Sequence, residues 1–110
     1  MYCAAIDIGT NSTRLLIAEK KGCKLQEICR DLATTRLGAG LRHEGRLPAS
    51  GKAATLAAVR AFAEKARRRG CNYIRAVATS AMREAADGSD FARELAAAAD
   101  LQVEILPPGT

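Results

Sequence analysis

Apolar residues along this chain switch between strand-like and helix-like spacing, and each switch marks an element. From Tyr2 to Ile8 they fall on both faces, Cys3 and Ala5 opposing Ala4, Ile6 and Ile8, as expected of a central strand covered on both sides. The turn-forming run Asp7-Ile8-Gly9-Thr10-Asn11-Ser12 interrupts it, and Thr13 to Glu19 resumes an apolar run through Leu15, Leu16 and Ile17, so the two segments read as a hairpin. After a second turn at Lys20-Lys21-Gly22, Lys24 to Arg36 reads as a third strand with Leu25 and Ile28 facing inward. Its interspersed charges suit a sheet edge. Gly38, Gly40 and Gly45 between Gly38 and Pro48 predict a mobile loop.

Helical period follows. Leu56, Val59, Phe62, Ala63 and Ala66 recur every three or four residues between about Ala49 and Arg69, and Gly70 supplies a left-handed stop. Tyr73 to Thr79 is little polar and reads as a strand buried like the first, followed by a short helix from Ser80 to Ala86. Ser89 is a suitable N-cap for a helix over Asp90 to Ala99, with Phe91, Leu95 and Ala98 on one face. Leu101 to Leu106 closes the pattern as a half-exposed strand. The element order is β-β-β-α-β-α-β, without repeats or low-complexity tracts.

Composition changes this picture little. The chain has 110 residues, of which 48% are hydrophobic, enough for one packed domain. Its formal charge of +5 suits phosphate-rich partners, but the basic residues are scattered. The one run, Arg67-Arg68-Arg69, ends a helix, where cations complement the dipole. Few aromatic residues and no reader motif argue against specific nucleic-acid binding. Cys3, Cys23, Cys29 and Cys71 show no C-x-x-C pairing and no histidine at zinc-ligand spacing, so they read as small core hydrophobes. His43 reads as a solvated loop residue. No signal peptide and no long apolar segment is evident, so the expectation is a cytoplasmic protein with reduced thiols and no membrane contact.

The turn after the first strand is the strongest chemical feature. Gly9 permits close approach of an anion, the N–H groups of Gly9, Thr10, Asn11 and Ser12 can point at its oxygens, and the Thr10 and Ser12 hydroxyls add donors. Asp7 would repel phosphate unless a divalent cation or an oriented water lies between them, which suggests Mg²⁺ held by Asp7 through water. An ordinary hairpin turn has the same composition. A second cluster, Ala78-Thr79-Ser80-Ala81-Met82-Arg83, ends the other buried strand and opens a helix, so Ser80 and Arg83 are candidates for a second phosphate at the same sheet edge. Arg83 has a plainer alternative, a surface pair with Glu84 or Asp87.

These residues match a known pattern. Ala5-Ile6-Asp7-Ile8-Gly9-Thr10-Asn11-Ser12 resembles the first phosphate loop of the exopolyphosphatase and guanosine pentaphosphate phosphohydrolase (Ppx/GppA) family. Arg36-Leu37-Gly38-Ala39-Gly40-Leu41 resembles its Gly-containing strand exit, and Ala78 to Ala85 its Thr-Ser-Ala-x-Arg-x-Ala segment. The resemblance spans the chain and corresponds to the family's N-terminal part, so residues 1–110 read as an incomplete portion of such a domain. It implies an α/β, ribonuclease-H-like half-domain of the actin-like ATPase superfamily. The implied sheet is mixed and five-stranded, of order 3-2-1-4-5, with the turn after the first strand and Arg83 holding polyphosphate.

In the family, paired glutamates, one of them activating the attacking water, follow the strand matching Leu101 to Leu106, whereas here Pro107-Pro108-Gly109-Thr110 closes the chain. The second phosphate loop and the partner domain would also lie beyond Thr110. No catalytic residue is therefore expected within this chain. The complete form would hydrolyse terminal phosphoanhydride bonds of polyphosphate or guanosine pentaphosphate with Mg²⁺, and the isolated chain is expected to be inactive. The alternative is a non-catalytic phosphate-binding or regulatory module, and a third reading is a fragment of an ATP-using relative. Two right-handed crossovers in one direction put both long helices on one sheet face. The other face is expected to expose Ile6, Ile8 or their neighbours and to favour a homodimer.

Overall fold

A computed structural model describes residues 1–107; Pro108, Gly109 and Thr110 lie outside the described residues. Five strands, β1 (Tyr2–Ile8), β2 (Ser12–Lys21), β3 (Lys24–Thr34), β4 (Cys71–Ala78) and β5 (Val103–Ile105), form one sheet in the order β3-β2-β1-β4-β5. The first three are antiparallel neighbours, while β4 runs parallel to β1 and β5 parallel to β4. Four helices are interspersed: α1 (Leu41–Glu44), α2 (Ala49–Arg68), α3 (Ser80–Glu84) and α4 (Gly88–Ala99). The expected topology is thus present, and the loop after Gly38 contains a helical turn that the sequence pattern did not indicate.

The core lies on one side of the sheet. Ala4, Ile6 and Ile8 of β1, Leu15 and Ile17 of β2 and Ala76 and Ala78 of β4 are buried beneath the helices, together with Val59, Phe62, Ala63 and Ala66 of α2 and Phe91 and Leu95 of α4. Their spacing explains the elements: alternate residues on the strands and every third or fourth on α2 face one another. Gly70 ends α2 at φ 81°, a conformation glycine adopts without strain. Arg67 turns from that helix to donate to the carbonyls of Ala99 and Asp100 at 2.8 and 2.6 Å, satisfying the end of α4.

The opposite face is open, as the two crossovers predict, and three other expectations are corrected. Ile6 and Ile8 are fully covered, and their neighbours Ala5 and Asp7 are the exposed ones. β1 is central in order but helix-covered on one side, because both crossovers place their helices on the same face. β4 is likewise not buried throughout: Tyr73 is 56% exposed, and Arg75 pairs at 3.0 Å with Glu104 of β5.

A β-bulge explains the third. Ile17 pairs with Cys29 but Ala18 pairs with Glu27, so Ile28 is an extra residue in β3. The bulge flips the faces beyond it, and Leu25, expected inward, is 64% exposed. Cys23, expected in the core, is exposed in the turn between β2 and β3, whereas Cys29 and Cys71 do pack against the core.

The α4 N-terminus also differs. The helix begins at Gly88, two residues earlier than expected, with Asp87 rather than Ser89 at the N-cap. The Asp87 carbonyl accepts the first helical bond, from Phe91 N–H at 3.0 Å. Its carboxylate turns away to the buried N–H of Leu47 at 2.9 Å and to Lys52 at 3.2 Å.

Inside α2, Thr55 is fully buried and its hydroxyl has no hydrogen-bond partner among the described residues. Thr55→Val keeps the shape and removes the orphan group, so it is expected to raise stability by about 1 kcal/mol. Urea unfolding checks this through an increased midpoint at unchanged slope.

Candidate phosphate-binding site

Three segments separated in sequence meet at the carboxyl end of β1. The first is the turn Gly9-Thr10-Asn11; Asp7 and Ile8, expected within it, belong to β1. Gly9 N–H donates to the carbonyl of Ser12 at 3.0 Å, so this donor is used inside the turn. A Cβ at Gly9 would stand 3.0 Å from the same oxygen, which is why the tight return to β2 favours glycine. The N–H groups of Thr10 and Asn11 have no acceptor among the described residues. Ser12 is the first residue of β2, opposite Thr34.

The second segment locks the turn from behind. Asn11 O accepts from the N–H groups of Thr35 and Arg36 at 3.1 and 3.0 Å, and Thr10 O from Gly38 N–H at 2.9 Å. The buried hydroxyls of Thr13 and Thr35 lie 3.2 Å apart. With the turn's carbonyls committed backwards, its remaining N–H groups are the donors left for an anion. Gly38 is required by contact: a Cβ there would lie 2.3 Å from Thr10 Cγ2 and 3.5 Å from Ala81 Cβ.

Ala81 belongs to the third segment, the start of α3. Thr79 N–H reaches Ile8 O at 3.4 Å, which joins the ends of β1 and β4, and Ser80 is exposed where α3 begins. The three motifs identified in the sequence therefore converge around Thr10, Gly38 and Ala81. α3 has five residues, and Thr79 makes no side-chain cap bond to it.

Arg83 is half-buried, and its Nη1 donates to the carbonyl of Leu106 at 2.9 Å. It thus pins the exit of β5 to α3 and makes no ion pair with Glu84 or Asp87 among the described residues. A guanidinium has five N–H donors, and this bond uses one. Asp7 lies exposed on the open face, directly opposite Arg14 of β2 and beside Val77 of β4. Among the described residues no group of three or more His, Cys, Asp or Glu side chains is placed to hold a metal ion. A single exposed carboxylate fits Mg²⁺ through water and ligand phosphate oxygens rather than as part of a protein cage.

Two residues escaped the sequence reading. Arg36 is exposed at φ 52°, a left-handed conformation uncommon outside glycine, and lines a concavity with Thr10, Asn11 and Gly38. Arg14 is the second, across from Asp7 in a concavity that also includes Leu16, Arg30 and Leu32. Arg36 opens the recognised glycine motif without a role assigned to it, and its proximity to Thr10 depends on the backbone bonds to Asn11.

One carboxylate behind the site has a shifted acidity. The Leu47 N–H, supported by Lys52, holds the Asp87 carboxyl below its usual range despite the opposing effect of burial.

Comparison with known proteins follows this geometry. Residues 16–110 match the Ppx/GppA phosphatase family. The chain belongs to that family. The crystal structure of the type II variant of the Aquifex aeolicus Ppx/GppA phosphatase superposes with a TM-score of 0.93 at 31% identity, covering 98% of this chain and 36% of that one. An exopolyphosphatase from Cytophaga hutchinsonii gives 0.90 at 20% identity, covering 96% and 34%. Thermus thermophilus RuvC in complex with a Holliday junction substrate shares the fold alone, with a TM-score of 0.51 at 14% identity over 98% of this chain and 66% of that one. This Ppx/GppA chain therefore spans about a third of the length of its solved family relatives, and its fold is ribonuclease-H-like. Among the described residues no helix is long and apolar enough to cross a membrane.

Proposed function

We propose that this chain is the phosphate-anchoring portion of a Ppx/GppA hydrolase that cleaves terminal phosphoanhydride bonds of polyphosphate or guanosine pentaphosphate, and that by itself it binds such chains without hydrolysing them. The observation that carries this reading is the convergence of the Thr10 turn, Gly38 and the start of α3, with the N–H groups of Thr10 and Asn11 unclaimed among the described residues. In this reading Gly9 shapes the turn, Thr10, Asn11 and Ser12 provide donors, and Ser80 and Arg83 contact a second phosphate. Mg²⁺ would supply charge neutralisation between phosphate oxygens, with Asp7 holding one of its waters. The residues of this chain orient the phosphates, and activation of the attacking water falls to groups outside it. Four free thiols agree with a cytoplasmic setting.

Phosphoryl transfer rests on positioning, neutralisation and an oriented nucleophile, so a chain supplying the first and part of the second should bind but not turn over. Calorimetry with long-chain polyphosphate and with guanosine pentaphosphate, each with Mg²⁺, is expected to give heat with at least one ligand. Thr10→Ala and Arg83→Ala should each weaken binding by roughly fivefold or more, the loss of one hydrogen bond to a charged group. Orthophosphate release should stay at background. No heat with either ligand refutes the anchoring role, and release at an enzyme-like rate refutes the division of labour.

A further inference from the structure

Strand β3 forms one edge of the sheet and carries two exposed large apolar side chains, Leu25 at 64% and Leu32 at 53% exposure. In a regular strand, residues an odd number apart point to opposite faces. The bulge at Ile28 changes this. Leu25, Glu27, Arg30 and Leu32 stand opposite Lys20, Ala18, Leu16 and Arg14 of β2, all on the open face, while Gln26, Cys29 and Asp31 stand on the helix side.

We propose that β3 pairs antiparallel with β3 of a second copy of this chain, about a two-fold axis normal to the sheet, with Leu25 opposite the partner's Leu32 and Glu27 opposite the partner's Arg30. Such an axis keeps each face of the sheet on its own side, so only residues that share a face can stand opposite one another. The bulge meets this condition for all four residues. Each contact then occurs twice, giving two leucine pairs flanking two ion pairs.

The charges select this register over its neighbours. Registers that centre the axis on Glu27 or on Arg30 instead set Glu27 against Glu27 or Arg30 against Arg30. Like charges directly opposite disfavour pairing, whereas opposite charges favour it. Glu27 and Arg30 already pair within one chain, so both charged ends lie where a partner would meet them. The bulge and the charges guard the edge against indiscriminate strands and leave its own pattern as the complement that fits. On the helix side the same register sets Gln26 opposite the partner's Asp31 and each half-buried Cys29 opposite the partner's Ile28, so the two Cys29 residues are diagonal neighbours across the axis.

Sedimentation of the 110-residue chain over a range of concentrations is expected to show a monomer–dimer equilibrium. Glu27→Arg and Arg30→Glu each place like charges opposite one another twice, and each should weaken dimerisation by roughly tenfold. Combining them restores complementarity and should restore the dimer. Circular dichroism checks that the exposed substitutions leave the fold intact. The native thiols provide a second readout, because Cys29 and the partner's Cys29, one residue out of register across the axis, have Cα atoms roughly 6 Å apart, within disulfide range. Mild copper-catalysed oxidation should yield a covalent dimer that Cys29→Ser abolishes and that Cys3→Ser, Cys23→Ser and Cys71→Ser retain. A chain that stays monomeric, a dimer indifferent to both charge changes, a double exchange that fails to rescue, or a crosslink that survives Cys29→Ser would each overturn the proposal.

Discussion

Gly88→Ala is expected to destabilise this protein by about 3 kcal/mol, at or beyond the upper end of ordinary overpacking. A Cβ at Gly88 would stand 1.7 Å from the carbonyl oxygen of Met82 and 2.8 Å from its carbonyl carbon. Both are backbone atoms of α3, so no rotamer change relieves the clash. The junction must open instead, which withdraws Met82 on one side and Phe91 and Leu95 on the other from a core in which all three are buried. With total stabilities of roughly 5–15 kcal/mol typical of single domains, this is a large share. Thermal unfolding should show a melting temperature lower by about 10 °C or more. An unchanged value would mean that α3 and α4 are free to part, contrary to the packing described above.

Asp87→Ala should cost about 2–3 kcal/mol near neutral pH. It deletes the acceptor of the buried Leu47 N–H, bonded at 2.9 Å, and leaves Lys52 without the partner it holds at 3.2 Å. The unsatisfied N–H dominates, because the Lys52 side chain is 34% exposed and regains water. Asp87→Asn retains an acceptor oxygen and should lose roughly half as much.

The Asp87 carboxyl titrates below its usual range in the folded state, so its charge favours folding above the ordinary aspartate value of about 3.9. That contribution disappears as the pH falls through the lowered folded-state value. Denaturation of wild type and Asp87→Ala across pH 2–7 should therefore give curves whose separation is largest at neutral pH and narrows in acid to the part that the acceptor oxygen of the protonated carboxyl retains; a constant separation would contradict the ionic role. Under the proposed phosphate-anchoring role, the variant should also weaken polyphosphate binding. Asp87 and the Ala86 N–H to Gly45 O bond, 2.9 Å, anchor the far end of the segment whose near end, Gly38, rests on Thr10.

Much of this architecture was readable from local pattern. Ala4, Ile6 and Ile8 announced one face of β1, the spacing of Val59, Phe62, Ala63 and Ala66 announced α2, and Gly70 its end. All depend on periodicity or on backbone conformations that one residue type favours, and neither needs distant partners. The three motifs that carry the family resemblance were visible for a similar reason, since each collects its glycines or hydroxyls within a few consecutive residues.

What escaped that reading depends on residues far apart in the chain. Leu25 was assigned to the wrong face because the extra residue Ile28 is defined only against its neighbour strand β2, where Ile17 and Ala18 meet Cys29 and Glu27. Ser89 looked like the cap because its hydroxyl suits one locally, yet Asp87 occupies that position and sends its carboxylate across 40 residues of sequence to Leu47. Arg83 offered a guanidinium to a phosphate in sequence and in the fold binds the carbonyl of Leu106, while Arg36 reaches the Thr10 turn because its N–H and that of Thr35 both donate to Asn11 O. Local spacing encodes which face of an element is apolar. Strand register, close approach at Gly38 and Gly88, and the partner of each buried polar group are decided when elements dock, because only then does a specific distant atom satisfy or exclude them.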